Sequence, residues 1–359
     1  MPRAGHVELR VQRTFDGPAR DWDDLAASQP LPSPFLRSWW LQHAPAGELV
    51  LLCCVADGRL VGGLALERDE LRAGPVRLER LRSPGQGPLA PDHLDLVATD
   101  EHRDVVTGEV LAWLRRPGSR VVDLDGLAAE GSLAAALADR VVERHGAPFA
   151  ALPPDAAAYL AARPGRLRST IQRTAKRLAR SGATHRRVPP EDGERALADL
   201  ARLHEGRWAD ESSFLAGWER FRRAALAGMQ AGEVTIDEIV DADGSVVATE
   251  LDLLVGGRTA FYQAGRRTER EWRGAGSVLR WEIVQRAVAD GRCEYDLLRG
   301  DEPYKADWAD GRRELVRCRF GVGPLGTAAM AARRWRQAAH ELSRAASRRR
   351  RAPRPEPTG

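Results

Sequence analysis

Runs of paired apolar segments, each followed by a helical stretch, recur in the two halves of this chain and constrain its architecture more than any other feature. In the first half, Leu49 to Ala56 and Leu60 to Glu67 are joined by Asp57-Gly58-Arg59, a short turn whose glycine supplies positive φ. In the second, Val234 to Val240, Val246 to Val255 and Thr259 to Ala264 are separated by Asp241-Ala242-Asp243-Gly244 and Gly256-Gly257. That pattern predicts a three-stranded antiparallel meander. A sheet buries a face only against a second layer. Helical spacing supplies it at Arg103 to Arg115 and Ser132 to His145 in the first half, and at Glu191 to Trp208 and Phe214 to Ala231 in the second. Further strands are expected at Val7 to Val11, Val76 to Leu81, Leu94 to Ala98, Val121 to Leu124, Thr184 to Val188, Tyr295 to Leu298 and Leu315 to Phe320. The fold class is therefore α/β in the α+β sense: two similar units, each a mixed, mostly antiparallel sheet flanked by helices.

A length of 359 residues exceeds one ordinary core and fits two of roughly 150 to 170 residues. Pro153 and Pro154 remove two backbone donors and mark a joint. The expected organisation is residues 1–152, a basic linker helix within 153–183, a second unit at 184–325, and a basic helical to disordered tail at 326–359. Along the linker, Leu167, Ile171 and Leu178 fall at helical spacing among Arg166, Arg168, Arg173, Lys176, Arg177 and Arg180, and Gly182 stops the run.

Composition narrows the class of protein. With 43% apolar and 30% charged residues, and no apolar run of about 18 residues, the chain is expected to be soluble. The opening MPRAGHVELRVQRTF lacks a signal-like apolar stretch, so a cytoplasmic location is expected. Much of the net charge of +4 comes from a tail holding Arg333, Arg334, Arg336 and Arg348 to Arg351, which suits contact with an anionic membrane surface from the cytoplasmic side. The basic residues lack interleaved aromatics, so nucleic acid is not the expected partner. Cys53, Cys54, Cys293 and Cys318 have no zinc-site spacing, and no metal is expected.

Several segments, taken in order, resemble the Fem-like branch of the GNAT acyltransferase superfamily, in particular the cellulose-biosynthesis (CelD-like) acetyltransferases. They are the basic helix Arg168 to Leu178 with Gly182, then Leu203-His204 and Arg207-Trp208, Val247-Ala248, and Tyr262-Gln263-Ala264-Gly265. After these come Gly276-Ser277 opening a helix, Asp296-Leu297-Leu298-Arg299-Gly300, Tyr304-Lys305 and Trp308. The resemblance spans about Arg166 to Phe320. Phe35, Trp39, the Asp57-Gly58 hairpin and Asp92-His93-Leu94-Asp95 are similar to the family's first domain. The resemblance implies a tandem pair of GNAT-type domains with an acyl-CoA donor bound in the second and an amine as acceptor, on a sugar, an amino acid or a cell-envelope precursor. Two alternatives stand beside it: aminoacyl transfer from tRNA, although no segment is long enough for the helical arm of the Fem proteins proper, and a catalytically degenerate module that binds or scaffolds in an envelope polysaccharide system. The family's phosphate loop begins with Gln or Arg, where this chain has Glu271.

Candidate site residues follow from chemistry and resemblance together. Glycines ahead of a helix let backbone N–H groups approach a diphosphate, and the helix N-terminus adds about half a positive charge. Gly274, Gly276 and Ser277, with Arg273 beside them and Arg299 downstream, are the candidate donor-binding residues. Amide formation from a thioester needs a proton for the departing thiolate, and Tyr304 resembles the family's tyrosine acid, with Lys305 next to it. Glu250 and Asp252 sit two apart on a strand and so share one face, making them candidates for the base. The bland reading of that pair is a solvated sheet face. His204 and Trp208 share a helix face, where packing is the commoner role.

Overall fold

The computed structural model describes residues 6–15, 19–73, 76–208 and 213–332. The first half runs β1 (Glu8–Gln12), α1 (Ala19–Ser28), α2 (Ser38–His43), β2 (Glu48–Ala56), β3 (Arg59–Ala73), β4 (Val76–Arg82), β5 (Val97–Ala98), α3 (Arg103–Arg115), β6 (Arg120–Ala128), α4 (Ser132–Ala136) and β7 (Val141–Ala151). The second runs α5 (Ala156–Ala161), α6 (Gly165–Arg180), β8 (Thr184–Arg187), α7 (Gly193–Trp208), α8 (Trp218–Gln230), β9 (Val234–Val240), β10 (Val246–Val255), β11 (Arg258–Arg266), α9 (Ala275–Ala289), β12 (Glu294–Asp296) and β13 (Gly311–Val322). The hairpin turns form as their residues dictate. Asp57 and Gly58 take φ of 50° and 77°, the left-handed pair of a two-residue hairpin.

All these strands join one mixed sheet, ordered β1-β2-β3-β4-β6-β13-β7-β12-β11-β10-β9-β8, with β5 paired to β3. The two halves repeat one plan. In the first, β2, β3 and β4 are antiparallel neighbours, and β6 returns parallel to β4 after α3. In the second, β9, β10 and β11 do the same, and β12 returns parallel to β11 after α9. No helix among the described residues is long and apolar enough to cross a membrane.

Sequence order and spatial order part company at the centre. Strand β13, late in the chain, lies antiparallel between β6 and β7 of the first half, and β7 in turn pairs with β12. The seam between the halves is thus continuous backbone ladder. The helix expected over Ser132 to His145 is corrected here: only Ser132–Ala136 is helical, and Val141–Ala151 is strand. The alanines favour helix locally, but Val141 onward fills the slot between β13 and β12, and ladder hydrogen bonding overrides propensity. The strand expected at Leu94 to Ala98 shrinks to Val97–Ala98 and a single bridge from Leu94 to Leu127. Of the expected basic tail, residues 326–332 are helical, and Arg333 onward lies outside the described residues.

One apolar core spans both halves, packing Trp22, Phe35 and Trp40 with Phe221, Ile236 and Tyr262. A second lies under α6 and α9, where Ile171, Val247, Ile283 and Trp308 meet. Helix α6 buries Leu167, Ile171, Thr174 and Leu178 and leaves its cations outward.

Buried charge fastens the same seam. Asp92, wholly buried, accepts from the Arg299 backbone N–H at 2.7 Å and from its Nε. Arg258 donates to Glu294, to Asp296 and to the Pro32 carbonyl. Removing Asp92 takes away the acceptor of the Arg299 N–H and one of the two carboxylates on its guanidinium, at a cost of about 3 kcal/mol. Asp92→Ala is therefore expected to lower unfolding free energy by about 3 kcal/mol in urea titration; a loss below about 1 kcal/mol would mean that the seam does not depend on this pair.

Candidate active site

The site begins where two parallel strands separate. Strands β11 and β12 pair only at Arg258↔Glu294, Thr259↔Tyr295 and Ala260↔Asp296. Beyond that point β11 runs on to Arg266, whereas the chain after β12 turns towards the first half. Leu297 N–H donates to Pro148 O at 2.9 Å, Arg299 N–H to Asp92, and Gly300 N–H to Gly146 O at 3.0 Å. The edge of β11 past Ala260 is left facing a crevice instead of a strand.

Helix α9 starts at the open end of this crevice. Gly274 precedes it with φ of 88°, a region L side chains rarely occupy. A Cβ there would also stand 2.8 Å from Thr174 Oγ1 on α6. Ser277 N–H is turned back on Gly274 O at 3.0 Å, so the N–H groups of Ala275 and Gly276 are the open donors of the first turn. At Gly276 the nearest atom to an added Cβ is Arg266 Cδ at 3.9 Å, and the position has room. No acidic residue occupies this first turn. The equivalent helix of the first half, α3, opens differently: Asp104 lies in its first turn, and Asp100 and Glu101 lie in the short 3₁₀ turn leading into it. The dipoles of both helices invite an anion, but the acidic side chains of the first half repel it.

A cavity of about 670 Å³ joins the crevice to a wall from the first half. Its lining includes Gly274, Gly276 and Ser277, Tyr304 and Lys305, and Gly87 to Ala90 with Phe214. The wall loop is held from the second half: Tyr262 donates through its hydroxyl to Leu89 O at 2.7 Å, and Arg299 Nη2 to Pro91 O at 2.9 Å.

The cavity floor is a buried polar cluster. Arg280 Nε and Nη2 donate to Glu250 at 3.1 and 3.0 Å, and the guanidinium packs on Phe261, 3.9 Å from its ring centre, with Tyr304 and Trp308 farther off. Burial opposes the Arg280 cation, but the adjacent Glu250 outweighs it and holds the group charged, above its ordinary range. The Tyr295 hydroxyl lies 2.6 Å from Glu250 Oε1 and 3.2 Å from Asp252 Oδ1. One hydroxyl has one proton, so both contacts are hydrogen bonds only when Asp252 is itself protonated and donates to the tyrosine oxygen. Burial, then the negative charges of Glu250 and Asp237, raise the Asp252 carboxyl well above the usual range, which agrees. The same burial raises the Tyr295 hydroxyl. The solvated-face reading of Glu250 and Asp252 therefore fails.

Several expected residues take other positions. Asp252 sits behind Glu250 and does not line the cavity. Both Glu250 oxygens are engaged by Arg280 and Tyr295, so an acceptor's proton reaches it only by breaking that ion pair. Arg273 is exposed on the loop, where its carbonyl accepts from Arg177. Arg299 borders the cavity, but its guanidinium is taken by Asp92, Asp125 and Pro91 O; its role here is to clamp the halves. Lys305, buried, donates to Arg299 O at 2.6 Å and pairs with Glu302 at 3.0 Å; burial pulls its pKa below the ordinary lysine range. Asp296 is wholly buried. Burial works against its charge, but His93, with Nε2 2.9 Å away at an angle outside hydrogen-bond geometry, and Arg258 outweigh it and hold the carboxyl well below its ordinary range. His204 lines the cavity against Phe214, 5.2 Å between ring centres. Glu271 is exposed beside the loop.

Arg280 was not among the residues the sequence singles out, although it carries a signal. It shares a helix face with Gly276, Ile283, Val284 and Ala287, and a cation on a face otherwise buried needs a partner. The Gly87 to Ala90 wall has no such signal, because Tyr262 and Gly217, which hold it in place, lie in the second half.

Comparison with known proteins agrees with this geometry. Residues 165–306 match the family model of the acetyltransferase (GNAT) domain. Among solved structures, FemX superposes with a TM-score of 0.59 at 11% identity over 86% of this chain and 96% of its own. A conserved protein of unknown function from Bacteroides thetaiotaomicron superposes at 0.57 and 11% identity, over 87% and 99%. The C-terminal domain of a putative lysylphosphatidylglycerol synthetase from Agrobacterium fabrum does so at 0.53 and 12%, over 83% and 91%. Comparison with curated proteins gives no match. Residues 165–306 thus resemble an acetyltransferase (GNAT) domain, and the chain as a whole shares the fold of these solved structures.

A carboxyl whose folded pKa is raised loses folding stability as pH climbs from its unfolded pKa towards its folded one, because the native state binds the extra proton. Asp252→Asn, which keeps a donor for Tyr295, removes that slope. The variant is expected to match the wild type near pH 4 and to have a melting temperature higher by a few degrees (~2–4 °C) at pH 8. A lower melting temperature at pH 8 would mean that Asp252 is charged in the fold.

Proposed function

We propose that the protein is an acyl-CoA-dependent N-acyltransferase that moves an acetyl or other acyl group to an amine of a sugar, an amino acid or a cell-envelope precursor. The observation that carries this reading is a cavity lined by the start of α9, by residues of β11 and of the chain after β12, and by the first-half wall. The diphosphate of the donor meets the N–H groups of Ala275 and Gly276. The amides of its pantetheine arm pair with the open edge of β11, as an added strand would. The thioester then reaches the part of the cavity bordered by Tyr304 and Glu302.

The amine nitrogen attacks the thioester carbonyl carbon, the C–S bond breaks, and Tyr304 gives its proton to the sulfur. Its side chain is 37% exposed and borders the cavity. Glu302, half-exposed in the same wall and paired with Lys305, takes the proton that the nitrogen loses. Glu250 keeps Arg280 charged and in place. The first half, whose α3 start is acidic, supplies the acceptor wall and binds no donor of its own.

Isothermal titration with acetyl-CoA is expected to saturate at one equivalent per chain. Gly276→Trp, placed where there is room for a side chain that then fills the loop, abolishes the binding in a protein that remains folded. Two equivalents, or binding unchanged by Gly276→Trp, would put the donor elsewhere. With an acceptor amine in hand, Tyr304→Phe is expected to leave donor affinity intact and to lower kcat by about a hundredfold; kcat within a factor of about three of the wild type would remove Tyr304 from the chemistry.

A further inference from the structure

Helix α6 carries Arg166, Arg168, Arg173, Lys176, Arg177 and Arg180 and no carboxylate. Two of these cations are held: Arg166 by Asp307 at 2.5 Å, and Arg168 by the carbonyls of Ala161 and Arg163. The other four fall at i, i+3, i+4 and i+7, all exposed, with no carboxylate within 4.0 Å among the described residues. Arg177 alone has a fixed partner, the Arg273 carbonyl of the donor loop. The stripe is about 10 Å long at 1.5 Å per residue. Like charges at i, i+4 repel, so the fold gains nothing by keeping it.

Its position gives it a use. Thr170 and Thr174 of the same helix pack against Gly274, immediately before α9, so the stripe borders the entrance through which a donor's phosphate end must protrude. Exposed Arg270 and Arg273 lie on the loop that leads into α9. The stripe extends the positive surface beyond them. Its exposed residues include no aromatic for base stacking, and the helix's large apolar residues are all turned into the core, which leaves nothing to insert into a bilayer. A rigid row of cations along a helix best complements an acidic helix on another protein.

We propose that this stripe docks an acidic carrier protein that presents the acyl group on a phosphopantetheine arm, the arm entering the cavity past Gly276. The proposal rests on the thioester-donor reading above and adds a macromolecular source for the thioester. The test uses the full chain and three probes: an acidic acyl carrier protein in its holo form, the same protein without the arm, and free CoA. The variant is Arg173→Glu/Lys176→Glu/Arg180→Glu, all exposed positions, with Arg177 left in place. The expected result is that holo carrier binds more tightly than the armless form, weakens with salt, and loses at least about tenfold in affinity in the variant. CoA affinity is expected to stay within about twofold, which also reports that the variant is folded.

Equal weakening of CoA would show that the stripe holds the nucleotide, and the proposal falls. CoA binding without holo-carrier binding overturns it as well, while leaving the donor reading intact. Carrier binding without CoA binding keeps the proposal and removes CoA as donor. Tight binding of transfer RNA, lost in the variant, would assign the surface to nucleic acid instead.

Discussion

Opening a gap between two parallel strands breaks backbone hydrogen bonds, and the structure depends on how those bonds are replaced. After Asp296 the chain leaves β11, and its amides find partners in the first half: Pro148 O for Leu297, the Asp92 carboxylate for Arg299, Gly146 O for Gly300. Leu298 N–H is satisfied locally by Asp296 at 2.9 Å. A buried amide without a partner costs about 1 to 3 kcal/mol, so the crevice is stable only because the first half is there to complete it. This accounts for the insertion of β13 between β6 and β7, and for β7 lying beside β12. The two halves fold as one sheet because the site needs both.

The same constraint explains the charges. Asp92, Arg299, Arg258 and Asp296 are buried where the halves meet, and each is paired, as burial requires. The clamp also fixes the loop that carries Tyr304, since Lys305, its neighbour, is hydrogen-bonded to the Arg299 carbonyl. At the cavity floor and behind it, Arg280, Glu250, Tyr295 and Asp252 form a second closed group, in which Arg280 pairs with Glu250 and burial raises the Asp252 carboxyl.

The repeated plan has diverged at one kind of position. Both halves have a meander, a helix and a parallel return strand, but α3 opens among Asp100, Glu101 and Asp104, whereas α9 opens after Gly274 with no acidic residue in its first turn. Identical backbone dipoles are thus given opposite electrostatic surroundings. The acidic side chains oppose an anion at the start of α3, and none does so in the first turn of α9.

The sequence by itself determined the elements set by local chemistry. The hairpin at Asp57-Gly58, the meander turns, the amphipathic α6 and the glycine start of α9 were all legible, because turn φ angles and helix periodicity are properties of a few adjacent residues. The resemblance of the ordered motifs added the expectation of two units on one plan. Tertiary structure alone decided the rest. Residues 141–151 became a strand because a slot between β13 and β12 required one, and no local propensity reports that slot. Arg299 meets Asp92 and Asp125, more than 170 positions away in sequence, only in the fold. Glu250 and Asp252 share a face as their spacing says, but whether that face met water or Arg280 depended on where α9 packed.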